Sequence, residues 1–570
     1  MDNTNSKTST LQIKTVCCFR TTAALLLLCS PALFTGCVSD DVSEQSMISG
    51  YQRIVSAKGP QQRDADDGVG MLLPEPTLTI AALEVIEDPN SEEFSVNLSI
   101  KEALVRAFSN NSEIRITSFE PSIAKEDVTK AAGKFDVSLF GQFNNERTDI
   151  PNNSSIIADR KDARIIESGI TQTNTMGSEW SVSYGLTRNW DNLASTTVNT
   201  RYEPILNFQI RQPLWRDGWE EVNLAGVNIS KLKYQAALLS FRQKTEEISA
   251  NVIVVYWTLM ESAKSVEVQE WLLEESIKTL AKVVGRRGID ASMVHIKQAE
   301  TAVKTRQATL LQVTKRFADV QDTLTRMLSD RQLNVLERFK VIPVSQPNVT
   351  LGEMDYSKIL ETAMGSNPLI QQAKLGIKIA DINIEVAKNQ KSPRLDLIAA
   401  AKLHGLNRGY GAANDSLSQR DYTSYTVGIS YEYSLGNRTR AAEHRKRLLE
   451  RSRAVSVKHN VADQIAQEIR EKIRMVETAH RQMAIQAEAA EASRMHLRGV
   501  EDVELIRKSL TPEFLLVKLQ AQESLANAEY AEIKAIADFN NAQVLLAQVS
   551  GTVLEMHQIA SSMSSAVALR

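Results

Sequence analysis

Beyond residue 37 the chain has no cysteine: all four, Cys17, Cys18, Cys29 and Cys37, lie at the N-terminus of 570 residues. Disulfide frameworks, CxxC metal sites and cysteine nucleophiles are thereby excluded from everything downstream. Proline and glycine are scarce as well, 14 and 24 in all. Length alone would allow three or four domains at about 150 residues each, but so few breaks predict long elements instead. No apolar run reaches the roughly 18 residues that a membrane-crossing helix needs. No basic tract suited to a phosphate backbone occurs either, and with 66 Lys and Arg against 69 Asp and Glu the net charge is −3. That balance gives no general reason to expect a nucleic acid partner. The seven histidines, His295, His404, His444, His459, His480, His496 and His557, show neither HxxxH nor HExxH spacing. They read as surface residues on helices rich in Lys and Glu, not as metal ligands. Gly409-Tyr410-Gly411 lacks the rest of a phosphate-binding loop and lies between two strand patterns, where a hairpin loop is expected. Spacing assembles no nucleophile constellation, so the chain reads as a non-enzyme with no cofactor and no metal. What is present is the composition of a folded protein, 43% hydrophobic and 24% charged.

Lys7, Lys14 and Arg20 precede the apolar stretch Ala23-Ala24-Leu25-Leu26-Leu27-Leu28-Cys29, and Leu33-Phe34-Thr35-Gly36-Cys37 follows a short break. A charged start, a short apolar centre and small residues before a cut are the marks of an export signal. Phe34-Thr35-Gly36-Cys37 resembles the lipobox of bacterial lipoproteins, with Phe34 where Leu is usual. The resemblance implies that Cys37 becomes the acylated first residue, and several acyl chains on one residue anchor stably where a single chain does not. The alternative is an ordinary signal peptide cut nearby, with Cys37 incidental. Val38 and Ser39 follow with no Asp beside the cysteine, which in the enterobacterial sorting pattern implies the outer membrane. Removal of residues 1–36 leaves 63 basic against 68 acidic residues, a net charge of −5.

Residues 37–94 are polar and broken by Pro60, Pro74, Pro76 and Pro89, which reads as a lipid-anchored tether or an extended wrap. From there the chain repeats itself. Leu98-Ser99-Ile100-Lys101-Glu102-Ala103-Leu104 leading to Asn110-Asn111 is echoed by Met354-Asp355-Tyr356-Ser357-Lys358-Ile359-Leu360 leading to Ser366-Asn367, at an offset of 256. Gln212-Pro213-Leu214 and Tyr433-Ser434-Leu435-Gly436-Asn437-Arg438 each open a long helical tract, now at an offset of 221. The first copy, 95–342, thus carries about 35 more residues than the second, 343–555, between one helix and the next. They fall in the region rich in Asn, Thr, Ser and Ile from Asn144 to Gly177, expected to be an enlarged polar loop. Residues 556–570 form a tail.

Between the helical tracts the pattern changes to period two, the signature of strands with two different faces. Phe135, Val137, Leu139, Gly141 and Phe143 alternate with Asp136, Ser138 and Gln142; Trp180, Val182, Tyr184 and Leu186 with serines and Gly185; Leu206, Phe208 and Ile210 with Asn207, Gln209 and Arg211. In the second copy come Leu395, Leu397 and Ala399, then Tyr425, Val427, Ile429, Tyr431 and Tyr433. Soluble half-buried sheets share this pattern. Residues 214–342 and 394–511 hold no proline, and Ile248, Val252, Val255 and Leu259 keep the 4-3-4 spacing of a helix seam. A proline-free tract of some sixty helical residues, such as that from Arg438 to Leu497, spans roughly 90 Å and needs partners along its whole length. An exported chain without apolar helices crosses a membrane only as a closed β-barrel. Five strand segments are too few, since the smallest barrels need about eight strands, so several chains would have to share one.

Taken in order, Leu98-Ser99-Ile100-Lys101-Glu102-Ala103-Leu104 with Asn110-Asn111, Gln212-Pro213-Leu214, Leu435-Gly436-Asn437-Arg438 and the closing Leu546-Ala547-Gln548-Val549-Ser550-Gly551 resemble the TolC-type outer membrane efflux proteins over nearly all of residues 95–555. The resemblance implies a fold that is mainly α with a membrane β-barrel: a homotrimer in which each protomer gives four strands to a shared 12-stranded barrel, continued by a long α-helical coiled-coil tunnel. A fifth segment does not fit four strands. Crossings must be even in number, so one segment near Trp180 or Leu206 is expected to belong to an extracellular hairpin or to one longer strand. The resemblance further implies an outer-membrane channel of a tripartite efflux or secretion system, a passive exit duct with a periplasmic adaptor and an inner-membrane pump as partners. A structural coiled-coil envelope lipoprotein without a pore is the alternative.

In that family, adaptors dock at the helical hairpin tips. The matching positions are Arg286, Arg287, Gly288 and Ser292 in the first copy and Lys508, Ser509 and Thr511 in the second. A Gly followed by a Ser or Thr cap is also what a tight helical turn needs; the second tip lacks the glycine and has Ser509 nearby. Family gates use acidic rings just past the second turn, and Glu513 is the nearest match, offset by one; a solvated helix-cap carboxylate is the competing reading.

Overall fold

The computed structural model describes residues 85–87, 94–151, 158–193, 199–288, 291–330, 339–506 and 511–556. Cys37, Lys508, Ser509 and His557 lie outside the described residues, as does nearly all of the expected tether. Among the described residues no helix is long and apolar enough to cross a membrane.

In chain order, β1 (Val85–Glu87) and β2 (Phe94–Leu98) precede α1 (Ile100–Asn110), α2 (Ser112–Thr117) and α3 (Phe119–Ala132). Four strands follow: β3 (Ser138–Asp149), β4 (Arg160–Thr173), β5 (Glu179–Asp191) and β6 (Thr200–Pro213). Then come α4 (Glu220–Asn223), α5 (Ala225–Gly285), α6 (Met293–Leu328) and β7 (Phe339–Pro343). The second copy runs through α7 (Tyr356–Ser366), α8 (Pro368–Lys391), β8 (Arg394–His404), α9 (Tyr410–Ser418), β9 (Tyr422–Glu432), α10 (Arg438–Ile506), α11 (Pro512–Ser550) and α12 (Val553–Met556). The helix α5 has 61 residues and α10 has 69, about 92 and 104 Å at 1.5 Å per residue. Each is packed by shorter helices, α5 by α6, α11, α3 and α8, α10 by α11 and α8. The seam read from spacing is a core: Ile248, Val252 and Leu259 are buried, and Val255 packs against them.

The repeat is visible in its side chains. Asn111 Oδ1 accepts from the backbone N–H groups of Glu113 and Ile114, while its Nδ2 donates to the Met327 carbonyl at the end of α6. Asn367 does the same 256 residues on, accepting from the Leu369 N–H and donating to the Val549 carbonyl at the end of α11. Both are buried, so each caps one helix and supplies a donor that another helix end lacks. This explains why Asn recurs at the offset. The strand that opens the first copy pairs directly with the one at the junction of the two, β2 with β7 in parallel, β1 lying antiparallel on the other side of β2. Tyr256 holds that junction, its hydroxyl donating to the Leu98 carbonyl at 2.8 Å and accepting from the Ser345 N–H at 2.9 Å.

The large sheet departs from expectation. It has six strands in the order β3-β4-β5-β6-β8-β9, every neighbour antiparallel. The described sheet thus holds one strand more than the five segments read from the sequence, and two more than the four that the resemblance implies for each chain's share of a barrel. The region Asn144 to Gly177 is no polar loop: it contains the end of β3, all of β4 and most of the turn to β5. The segments near Trp180 and Leu206 are two separate strands, β5 and β6. At the start of the sheet Phe135 belongs to a turn of 3-10 helix and Val137 precedes the strand, which begins at Ser138.

Candidate functional site

Register aligns the alternation of all six strands into two faces. Leu139 and Phe143 stand beside Ile170 and Ile166, these beside Val182 and Leu186, then Phe208 and Pro204. Phe208 continues to Ala401 and Tyr425, and Ile210 to Ala399 and Val427. The opposite face carries Gln142, Glu167, Ser183, Asn207, Lys402 and Ser424, with Phe140, Ile165, Ile205 and Ile398 as its large apolar exceptions. It is the apolar face that stands open: Leu139 is 81% exposed and Phe208 45%, while Ser183 and Asn189 on the polar face are buried. A soluble sheet would be the reverse. Aromatic residues mark both ends of the band. Trp215 meets Tyr431 edge-on at 6.4 Å near the helices, and Tyr202 meets Tyr410 of α9 at 6.4 Å at the far end. Trp180 and Trp190 stand ten positions apart on β5, about 33 Å along the strand, which at a strand tilt of about 45° is about 23 Å.

The polar face closes its rims with ion pairs. At the helix end Asp396 accepts from Arg211 Nε and Arg394 Nε, both at 2.8 Å, and Arg211 also reaches Glu179 at 3.1 Å. At the far end Arg201 lies between Asp191 and Glu203, at 2.5 and 2.7 Å. Gly409-Tyr410-Gly411 does sit in the β8–β9 connection, at the start of α9. Asn414 of α9 accepts from the Tyr184 hydroxyl at 2.8 Å.

At the opposite end of the helices are the hairpin tips. α5 stops at Gly285; Arg286 and Arg287 donate their N–H groups back to Val283 and Val284, and Gly288 turns the chain at φ +88°, a conformation glycine adopts without strain. Arg287 is exposed and Arg286 half-buried. Ser292 caps α6, with its N–H donating to His295 Nδ1 at 3.2 Å. His295 therefore takes the place a Glu or Gln holds in a capping box, and it is buried, not a surface residue as its helix suggested. In the second tip Thr511 accepts from the Phe514 N–H at 3.4 Å and so caps α11. Glu513 follows in the first turn, exposed, where a carboxylate favours the positive helix end.

Two polar clusters tie the hairpins together just behind the tips. Glu504 of α10 accepts from Lys518 of α11 and, at 3.5 Å, from Lys282 of α5. Burial pushes the Glu504 carboxyl up, but Lys518 and then Lys282 outweigh it and hold it below the ordinary carboxylate value. Arg306 of α6, also buried, donates to Ser276 of α5, to Gln522 Oε1 at 3.1 Å and to the Leu519 carbonyl at 2.9 Å. Burial lowers its pKa against the opposing charge of Glu523. Sequence reading missed this pair of clusters, because their partners lie on different helices, from 14 to 222 residues apart, and leave no spacing signal. It also missed that the tips are greasy: Leu505 and Ile506 are 83% and 80% exposed, with Val284, Met293, Val294 and Leu516 exposed beside them. Apolar residues in place of the polar ones a free turn prefers were the available signal. A cleft of about 720 Å³ runs from Met293 and Val294 to Leu516, Arg306 and Glu523.

No sequence-family model and no curated protein matches this chain. Solved structures do. It is similar to the outer-membrane channel OprN at 14% identity, with a TM-score of 0.59 over 80% of this chain and 90% of that one. It is similar to the outer membrane protein VceC of Vibrio cholerae at 14% identity, TM-score 0.57, over 79% and 96%. It is similar to the open state of the MtrE outer membrane channel of Neisseria gonorrhoeae at 15% identity, TM-score 0.54, over 80% and 89%. A two-faced sheet standing on paired long helical hairpins, built twice over in one chain, is the fold of the TolC-type outer membrane efflux channels.

Proposed function

We propose that the chain is the outer-membrane channel subunit of an export assembly, a homotrimer that gives small molecules or secreted polypeptide a passive exit through membrane and periplasm. The observation that carries this reading is the sheet whose exposed face is apolar and whose sheltered face is polar. Lipid outside and water inside require that arrangement, and a bridging lipoprotein without a pore has no use for it. Transport along such a duct needs no bond chemistry in this chain; an inner-membrane pump would supply the drive. The test is the native mass of the detergent-extracted particle, followed by single-channel recording of the same sample in a planar bilayer. A conducting trimer is expected; a non-conducting monomer or dimer would leave the pore-free bridge as the better account.

The exposed apolar tips, with Arg286, Arg287, Gly288, Ser292 and Thr511 and with Lys508 and Ser509 between them in sequence, form the surface offered to a periplasmic adaptor. Patches of this kind mark protein contacts. Cys37 supplies the lipid anchor. Its replacement by alanine is expected to abolish incorporation of labelled fatty acid and leave trimers intact, since the barrel itself holds the membrane; undiminished labelling contradicts acylation at this residue. Glu513, repeated threefold around the axis, would place a ring of negative charge at the tip. Glu513→Ala is expected to raise resting conductance, and a trace indistinguishable from the parent's removes it from the gate.

A further inference from the structure

We infer that three copies of this chain close a barrel of eighteen strands, not twelve, with β3 of one copy paired to β9 of the next. The inference rests on the trimeric duct reading and adds the width of its mouth.

The hairpin β4–β5 is part of the wall and not an appendage on it. It stands in the middle of the sheet order, so that β3 and β6 meet only through it, and its pairing runs along the full strands on both sides. Its side chains keep the alternation of their neighbours, Ile166, Ile170, Val182 and Leu186 on the exposed face, Glu167 and Ser183 on the sheltered one. Taking it out of the wall would break two ladders and strand polar backbone in lipid. It also accounts for the surplus of about 35 residues in the first copy, since the hairpin runs from Arg160 to Asp191.

The two outer edges complete the case. β3 runs away from the helices and β9 runs back toward them, so a β9 laid beside the next copy's β3 is antiparallel, like every other neighbour in the sheet. Their apolar residues are the most open of the band, Leu139 81% and Tyr425 83% exposed, because each strand lacks a neighbour on one side. An edge of this length cannot stay unpaired in a bilayer. The helical part is not enlarged to match. The turn between β4 and β5 carries no helix; it ends at the helix side, where Gly177, at φ +86°, is tucked against the Asp217 carbonyl and Asn223 so closely that a Cβ would collide. Diameter grows about linearly with strand number, so the barrel would be about 1.5 times as wide as a twelve-stranded one over an unwidened tunnel.

Electron cryo-microscopy of the full-length detergent-extracted particle counts the strands directly. Three copies and eighteen strands are expected. Three copies with twelve strands and β4–β5 outside the wall, or two copies closing twelve, overturn the inference while leaving a duct. A particle with no closed barrel overturns both it and the duct reading. As a second measurement, residues 159–192 are deleted so that β3 returns directly through β6. Polyethylene glycols of graded size, added from the barrel side during single-channel recording, are expected to show a cut-off radius about 1.5 times larger in the parent than in the deletion variant. Equal cut-offs overturn the wider mouth, and should the variant not assemble, the strand count of the parent still decides.

Discussion

Phe208→Arg is expected to cost about 2–4 kcal/mol per chain and to deplete the outer membrane of assembled particle, while Gln209→Arg, one residue further on, leaves assembly near its parental level. Phe208 is 45% exposed and packs into no interior of its own chain. Were the sheet bathed in water, either arginine would sit within about 0.5 kcal/mol of the parent, as surface substitutions do. Only lipid on one face and water on the other separates the two positions. The middle of β6 is the most demanding place for the comparison, because a charge near the end of a strand escapes to the headgroups. Semi-native gel analysis of outer-membrane fractions, with both variants expressed to equal total levels, reads the difference. Equal assembly of the two would show that the exposed apolar face does not meet lipid.

Glu504→Ala should be the most damaging change at the far end. The Lys518 side chain is 4% exposed and has Glu504 as its ion-pair partner. Removing one member of a buried pair costs about 3–5 kcal/mol, since the other charge stays buried and uncompensated. The tips should then loosen, seen as rapid proteolysis within the hairpin ends and, in the duct reading, as a raised resting conductance. Adding Lys518→Met removes the orphaned charge and should restore much of the resistance; failure of that second change to help would place the damage elsewhere than in the stranded ammonium. The pH dependence follows in sign. A carboxyl held below its ordinary value of 4.5 contributes fully above that value and loses its contribution as pH falls through the lowered one. The parent should therefore keep its protease resistance down to about pH 4.5 and lose it below, whereas the double variant should show no such step.

Much of this is legible in the sequence. The repeat at offsets of 256 and 221, the proline-free tracts and the alternation around Trp180 and Tyr425 each reflect a rule acting over neighbouring residues, and each fixed an element correctly. β4 escaped because its apolar face is thin. Arg160-Lys161-Asp162 opens it, Ile165 and Ile166 lie adjacent and blur the period, and only Ile166 and Ile170 mark the open side. In isolation such a segment resembles a loop, and the register with β3 and β5 is what makes it a strand. His295 misled for a related reason: its role is defined by one N–H at a helix start, which its surroundings of Lys and Glu do not disclose. The clamps at Glu504 and Arg306 were out of reach altogether, since they join helices through contacts that only the folded hairpins create.

The seat of Gly177 beside Asp217 and Asn223 has a consequence for how such a chain can change over generations. An antiparallel segment that leaves the helix end and comes back to it returns the backbone to the level and direction it started from. Whole hairpins can therefore be gained or lost with no adjustment to the tract that begins at Glu220, and single strands cannot. The tips of the long helices and the far rim of the sheet are thus free to evolve at different rates. In the duct reading, a lineage could alter its outer opening while the tips at Arg287, Ser292 and Thr511 stay as they were.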